Sequence, residues 1–199
     1  MNRYRIIFPL GLLLFCAGGC STLRQTDPPQ TATEQLLIST SVDRAVSRLS
    51  VTMPADARVF LDADNFQSEV VLAKYTVAAV RARLLDQGVR LTNDRKDATV
   101  IAELRAGAQS IDDKSSLFGI PSFPIPIPFS GVVTVPEIAL FKKQTQHSVA
   151  KLALSFHDAE GAPIGDTGNQ YGQSFLSRYV LLLVSWSDND IAPPRQDQP

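Results

Sequence analysis

The sequence has almost no cysteine: two in 199 residues, at positions 16 and 20. Beyond position 20 no thiol remains, which excludes a cysteine nucleophile, a thiolate zinc site and an intrachain disulfide from the body of the chain. Histidine is as scarce, so any metal site or Ser/His/Asp arrangement must use His147 or His157. Excess charge is missing too. With 19 Lys+Arg against 20 Asp+Glu the net charge is -1, and no basic block gathers what there is, so a nucleic-acid backbone finds no countercharge. No G-x-S-x-G elbow, H-E-x-x-H helix or phosphate-cradling loop occurs, and Gly165-Asp166-Thr167-Gly168 lacks the Lys-Ser/Thr of a P-loop. What remains, at 44% hydrophobic residues, fits one ordinary globular domain without a cofactor.

What is present begins with Arg3 and Arg5 ahead of an apolar run over residues 6–17, then Gly18, Gly19 and Cys20. That order, charged then apolar then small, is the layout of a secretory signal. Twelve apolar residues interrupted by Pro9 fall short of the ~20 that a spanning helix needs. The segment Cys16-Ala17-Gly18-Gly19-Cys20 resembles the lipobox of bacterial lipoproteins, in which small residues precede a cysteine that is diacylated, exposed by cleavage and acylated again on its amine. Ala17 stands where leucine is usual. Ser21 follows the cysteine in place of the aspartate linked to inner-membrane retention. The resemblance therefore implies a palmitate-bearing Cys20 at the periplasmic face of the outer membrane. Cleavage after Gly19 would leave 180 residues with 17 basic and 20 acidic side chains, a net charge of -3. At ~0.8 kcal/mol per buried methylene, several acyl chains would hold such a domain at the bilayer almost permanently.

The remainder divides into a polar tether with a Pro pair (residues 20–32), one domain (33–191) and a polar tail (192–199). Ile38, Val42, Ala45, Val46 and Leu49 repeat at helical spacing, predicting a helix over 33–49 with Thr33 as N-cap. A short strand at 58–61 precedes a second helical stripe from Leu72 to Leu84, stopped by Gly88 as C′ residue. A brief strand at 89–91 follows, then a longer one in which Val100, Ala102, Leu104, Ala106 and Ala108 alternate with polar residues, Ile101 excepted. Residues 112–136 carry five prolines and read as an extended, polyproline-like loop or edge. The clearest strand covers 146–158, with Ala150, Leu152, Leu154 and Phe156 opposite His147, Lys151, Ser155 and His157. A Gly-rich strand from Ile164 towards Ser174 and a buried strand over 179–186 complete the expectation. The fold class is α+β: a mixed or antiparallel sheet with two main helices on one face, a strand-helix-strand-strand start and then a β-meander.

Three places carry candidate chemistry. Asp62-Ala63-Asp64-Asn65 follows a strand end, where paired carboxylates could bind a divalent cation or act as acid and base; as a calcium loop it fails, with Gln67 where Gly is needed and Ala73 where Glu is needed. A polar strand-to-helix turn accounts for it as well. His147 and His157 lie ten residues apart on one strand, roughly 33 Å, too far to share an ion. The third is the segment Phe118, Ile120, Phe123, Ile125, Ile127 and Phe129. These six large apolar groups either fold back to seal one end of the core or stand exposed, ready to dock a partner or dip into a membrane. A pore of membrane-spanning hairpins would need ~9 to 11 alternating residues per strand, which the proline-rich stretch does not supply.

The runs EQLL at 34–37, VFLD at 59–62, LLDQGVRLTNDRKDATVIAELRAGA at 84–108, GIPSFPIP at 119–126, PEIALFKK at 136–143 and VAKLALSFHD at 149–158 resemble an uncharacterised family of bacterial lipoproteins built on a domain of unknown function. More loosely, the strand-helix-strand-strand portion resembles domains of accessory lipoproteins in envelope secretion and assembly machines. The expectation is a non-enzymatic accessory or binding protein, held to the membrane by its lipid and meeting an envelope protein partner. The alternative is a small periplasmic hydrolase or metal-dependent enzyme using Asp62 and Asp64.

Overall fold

The computed structural model describes residues 30–66, 70–128 and 131–191, with the side chains of 70 and 71 left undescribed. The expected signal peptide, Cys20, most of the tether, Phe129 and the tail lie outside these residues. Thr31–Pro199 forms one compact unit.

Helix α1 (Ala32–Ser47) opens it. Its N-cap is Thr31, not Thr33, because Thr31 and Glu34 form a reciprocal capping box: the Thr31 hydroxyl accepts from the Glu34 amide at 3.2 Å, and Glu34 accepts from the Thr31 amide at 2.7 Å. The helix also stops two residues short of the predicted end. Strand β1 (Arg58–Asp62) leads to helix α2 (Val70–Asp86), which closes on Gly88 at φ 81°. There the Val89 amide reaches Leu84 O and the Gly88 amide reaches Leu85 O, the two bonds of a Schellman ending. Strand β2 (Arg90–Thr92) and a 3-10 turn (Arg95–Asp97) follow.

Two strands of 21 residues dominate the rest: β3 (Val100–Ile120) and β6 (Ile138–Asp158). At ~3.3 Å per residue each is about 70 Å long, far more than the helices can cover. Between them lies a hairpin of β4 (Phe123–Ile127) and β5 (Gly131–Val135), a two-stranded sheet of its own. Strands β7 (Pro163–Asp166), β8 (Gln170–Leu181) and β9 (Val184–Asn189) complete the fold. The main sheet runs β2-β1-β3-β6-β8-β9, with β7 pairing β6; β1 is parallel to both β2 and β3, and the remaining pairs are antiparallel. This is the expected α+β class.

One core joins both helices to the near half of the sheet, with Val42, Leu49, Val59, Val80, Leu84, Leu104, Leu152 and Leu154 fully buried. Helix α1 lies very close to the strands. A Cβ on Gly172 would fall 1.9 Å from Ser41 O and 2.5 Å from Ala45 N, so only glycine fits there. Small neighbours continue the contact: the Ser41 and Ser148 hydroxyls pair at 3.0 Å, and Ser174 donates to Leu37 O at 2.7 Å. Arg44 ties the helix to the residue that follows β9 through an ion pair with Asp190, whose other oxygen accepts the Phe175 amide at 2.7 Å.

Three expectations about strands are corrected. The alternation in β3 breaks at Gly107, where a bulge moves Ala108 opposite Lys151 and puts Gln109 opposite Ala150 on the helix side, donating to Thr76 Oγ1 at 3.1 Å. For 112–136 it is the loop alternative that is corrected: the stretch is strand through Ile120, an edge paired, among the described residues, with β6 alone, and strand again through the hairpin. Prolines 124 and 126, two apart, share one edge, and a two-stranded ribbon can turn both missing donors outward. Residues 179–186 are not a buried strand: β8 and β9 meet at a two-residue turn, Leu182-Leu183, and none of these eight residues is buried.

Candidate functional site

Asp62 ends β1 and is occupied. Its Oδ1 accepts the Asp64 amide at 3.1 Å, the bond of an Asx turn, and its Oδ2 receives Arg95 Nη1 at 2.6 Å. This is the polar strand-end turn, with its negative charge neutralised. Among the described residues no group of three His, Cys, Asp or Glu side chains is placed to hold a metal ion.

His147 and His157 stand on the same face of β6, opposite the helices, and far apart. His157 borders a shallow depression of about 400 Å³ with Ser155 and Asp166. The three types evoke a hydrolase triad, but the bonds are arranged otherwise. Ser155 donates to Asp166 Oδ2 at 3.1 Å, Arg105 pairs with the same oxygen at 2.6 Å, and His157 Nδ1 faces Asp158 O at 2.8 Å. The Gly168 amide on Oδ1, foremost, holds the Asp166 carboxyl below the usual carboxylate range, with Ser155 and Arg105 adding to it. The Ser155 proton thus faces a carboxylate whose lowered pKa makes it a weak base, and among the described residues no imidazole is bonded to it.

A groove of about 390 Å³ separates the helices, with Tyr75 over it. The Tyr75 hydroxyl donates to both Asp43 oxygens at 2.7 and 2.9 Å, and its pKa is pushed up to about 12 by partial burial first, then by that bond and the Asp43 charge. The pairing fastens α2 to α1.

The far end of the sheet is chemically different. Beyond the reach of the helices β3, β6, β8 and β9 form a single layer, and register sets its rows. Phe118, Phe141, Leu181 and Val184 lie side by side across the four strands, and one row inward come Ser116, Lys143, Tyr179 and Trp186. Both rows share the face turned from the helices. Tyr179 and Trp186 stack, with centroids 5.3 Å apart and planes within 8°, and Lys143 Nζ sits 5.4 Å from the Tyr179 ring centre. Phe118 is 69% exposed, Val184 63% and Leu183, at the turn, 100%. Leu182 holds φ 53°, a left-handed conformation that a hairpin turn usually gives to glycine, and its amide is bonded to Leu140 O at 2.9 Å. Ile120, Phe123, Ile125 and Ile127 are exposed as well, and among the described residues β4 and β5 pack substantially only on each other. The sequence pointed to the Phe118–Ile127 portion and missed Phe141, Leu181, Val184 and Trp186, which only long-range strand pairing brings beside it.

A family model described as a family of unknown function, DUF6655, matches residues 15–185. The chain belongs to this family. As a member of DUF6655 it takes no activity from the match, which spans both helices, β1–β8 and the start of β9. No match is found among curated proteins.

Proposed function

We propose that the protein is a lipoprotein anchored through Cys20 to the periplasmic face of the outer membrane, and that it serves the envelope as a non-enzymatic accessory or binding protein. The observation that carries this reading is the exposed apolar end of the sheet. Monomeric domains rarely display contiguous apolar surface of this extent unless it meets something. Of the two carboxylates of the enzymatic alternative, Asp62 is engaged in structural work with Arg95 and the Asp64 amide; Asp166, beside Ser155 and His157, is likewise held by Arg105, Ser155 and the Gly168 amide. The lipobox-like residues around Cys20 support the address.

Metabolic labelling with an alkyne-tagged palmitate tests the anchor: the wild-type chain should take the label and a Cys20→Ser chain should not. A photo-crosslinking residue placed at Ile125 should give adducts with envelope components in intact cells, whereas the same residue at Glu160, at the opposite end of the sheet, should give none. Label persisting in Cys20→Ser, or equal adducts from both positions, defeats the reading. Replacing Asp62 and Asp64 together by asparagine should leave the adducts unchanged; their loss in a folded double variant would favour the enzyme.

A further inference from the structure

We infer that the far end of the sheet is a phospholipid-contact surface, whose Phe118, Phe141, Leu181, Leu183 and Val184 side chains dip into the headgroup–acyl boundary of the membrane. The inference deepens the lipoprotein reading, and rests on it only for the side from which the membrane approaches.

The order of side chains along the sheet is the first argument. Residues 115–141 contain one charged group, Glu137, and it is paired with Lys142 at 2.8 Å; residues 179–187 contain none. Moving inward from the tip, the aliphatic turn and the Phe118 row come first, the stacked Tyr179 and Trp186 with Lys143 second, and the row holding Lys114 and Asp188 third. A tip of leucine, valine and phenylalanine, a border of tyrosine, tryptophan and lysine, and a charged interior are the sequence of chemistries met on leaving a bilayer core for water. A protein interface places its aromatic anchors at the centre of the patch and polar groups at the rim. Here Tyr179 and Trp186, the rings with a polar edge, stand at the border.

Depth is the second argument. From the Leu182-Leu183 turn to the row of Tyr179 and Trp186 is three residues, about 10 Å at ~3.3 Å per residue, which matches insertion at the interface and falls well short of a ~30 Å hydrocarbon core. The turn is built for exposure: a leucine held at φ 53° and a fully exposed leucine beside it are costly in water and gain nothing from the protein's own core.

The third argument is where the chain enters the domain. Going back along α1, Arg48 bonds Tyr171 O, Arg44 bonds Gln173 O and Leu37 O accepts from Ser174, so the helix runs antiparallel to β8 and its N-terminus points to the far end. The eleven residue steps from Cys20 to Thr31 reach at most about 36–40 Å. The end of the domain that carries the apolar rows is thus the end at which the anchored chain enters it.

Trp186 is the only tryptophan of the protein and lies within the surface, so it reports contact directly. Residues 31–199, the compact unit described above, would be mixed without any lipid anchor with vesicles of phosphatidylethanolamine and phosphatidylglycerol (3:1). The protein should sediment with the vesicles, its emission should shift to the blue, and brominated acyl chains should quench it. Leu183→Asp, at a fully exposed position, should keep the wild-type circular dichroism and lower partitioning at least tenfold, while Ile164→Asp, an exposed apolar site at the other end of the sheet, should leave it unchanged. Three results would overturn the inference: no sedimentation or shift with vesicles, equal loss in both variants, or a lipid-free dimer by sedimentation velocity that Leu183→Asp dissolves, which would assign the surface to a second copy. Because this protein lacks Cys20, failure here leaves the palmitate result untouched, and failure of palmitate labelling leaves vesicle binding untouched.

Discussion

Gln146 lies under the N-terminal half of α1, 8% exposed, with its Oε1 accepting no hydrogen bond. A buried acceptor without a partner costs roughly 1–3 kcal/mol. Gln146→Met keeps the volume and removes the cost, so the variant should melt about 2–12 °C higher by calorimetry; an unchanged or lower Tm would mean that the oxygen is satisfied. Tyr75 tests the clamp between the helices. Its folded pKa is raised, so its contribution to stability is complete below the ordinary tyrosine value of about 10 and is lost as pH rises towards about 12. In a titration followed at 295 nm a tyrosine step near pH 12 should appear and should vanish in Tyr75→Phe. A high-pH step unchanged in Tyr75→Phe would refute the clamp.

Among the elements, the β4–β5 hairpin is the one that the fold least needs. Every residue of β4 is exposed, and among the described residues nothing but β5 packs against it substantially. Ile120 and Ile138 already face each other across β3 and β6, so an Asn-Gly turn in place of residues 121–137 would close that pair as an ordinary two-residue hairpin. The shortened protein should melt within about 2 °C of the parent, as changes remote from the core do; unfolding would make the hairpin part of the core after all. Elements set by local chemistry were legible in the sequence: α2 with its Gly88 ending, and the half of β6 where Ala150, Leu152, Leu154 and Phe156 alternate cleanly. Elements set by contacts distant in sequence were not. The Leu182-Leu183 turn has no glycine or asparagine to announce it, so 179–186 reads as one apolar strand; the bulge at Gly107 matters only once Lys151 is opposite. The candidate surface was half legible for the same reason. Its proline-rich portion stands out by composition, whereas Phe141, Leu181 and Trp186 join it only through the β3-β6-β8-β9 register.

At the scale of the molecule the chain joins two kinds of sheet on the same strands. Near the helices β3 and β6 are covered by the core; beyond about Asp113 and Gln146 they continue as one layer with water on both faces. Strand β6 is paired on both sides in both halves, by β3 throughout and by β8 or β7, whereas β3 loses its second neighbour beyond Glu103, so along β6 a difference in opening must come from burial. Amides in the near half, around Val100–Leu104 and Leu152–Phe156, should exchange only through global unfolding, because exposing them requires dissolving the core. Those of the far half, at 114–118, 142–145 and 178–181, should open locally and exchange at least a hundredfold faster in hydrogen-exchange mass spectrometry. The contrast should hold within the single continuous strand β6, whose two ends have the same backbone pairing but opposite surroundings. If the strand instead exchanges uniformly along its length, pairing rather than packing sets its stability, and the far end is a rigid extension of the core. A locally opening end would suit a surface that must adjust to whatever it meets, while the near half keeps α1, and with it the start of the domain, fixed on the sheet.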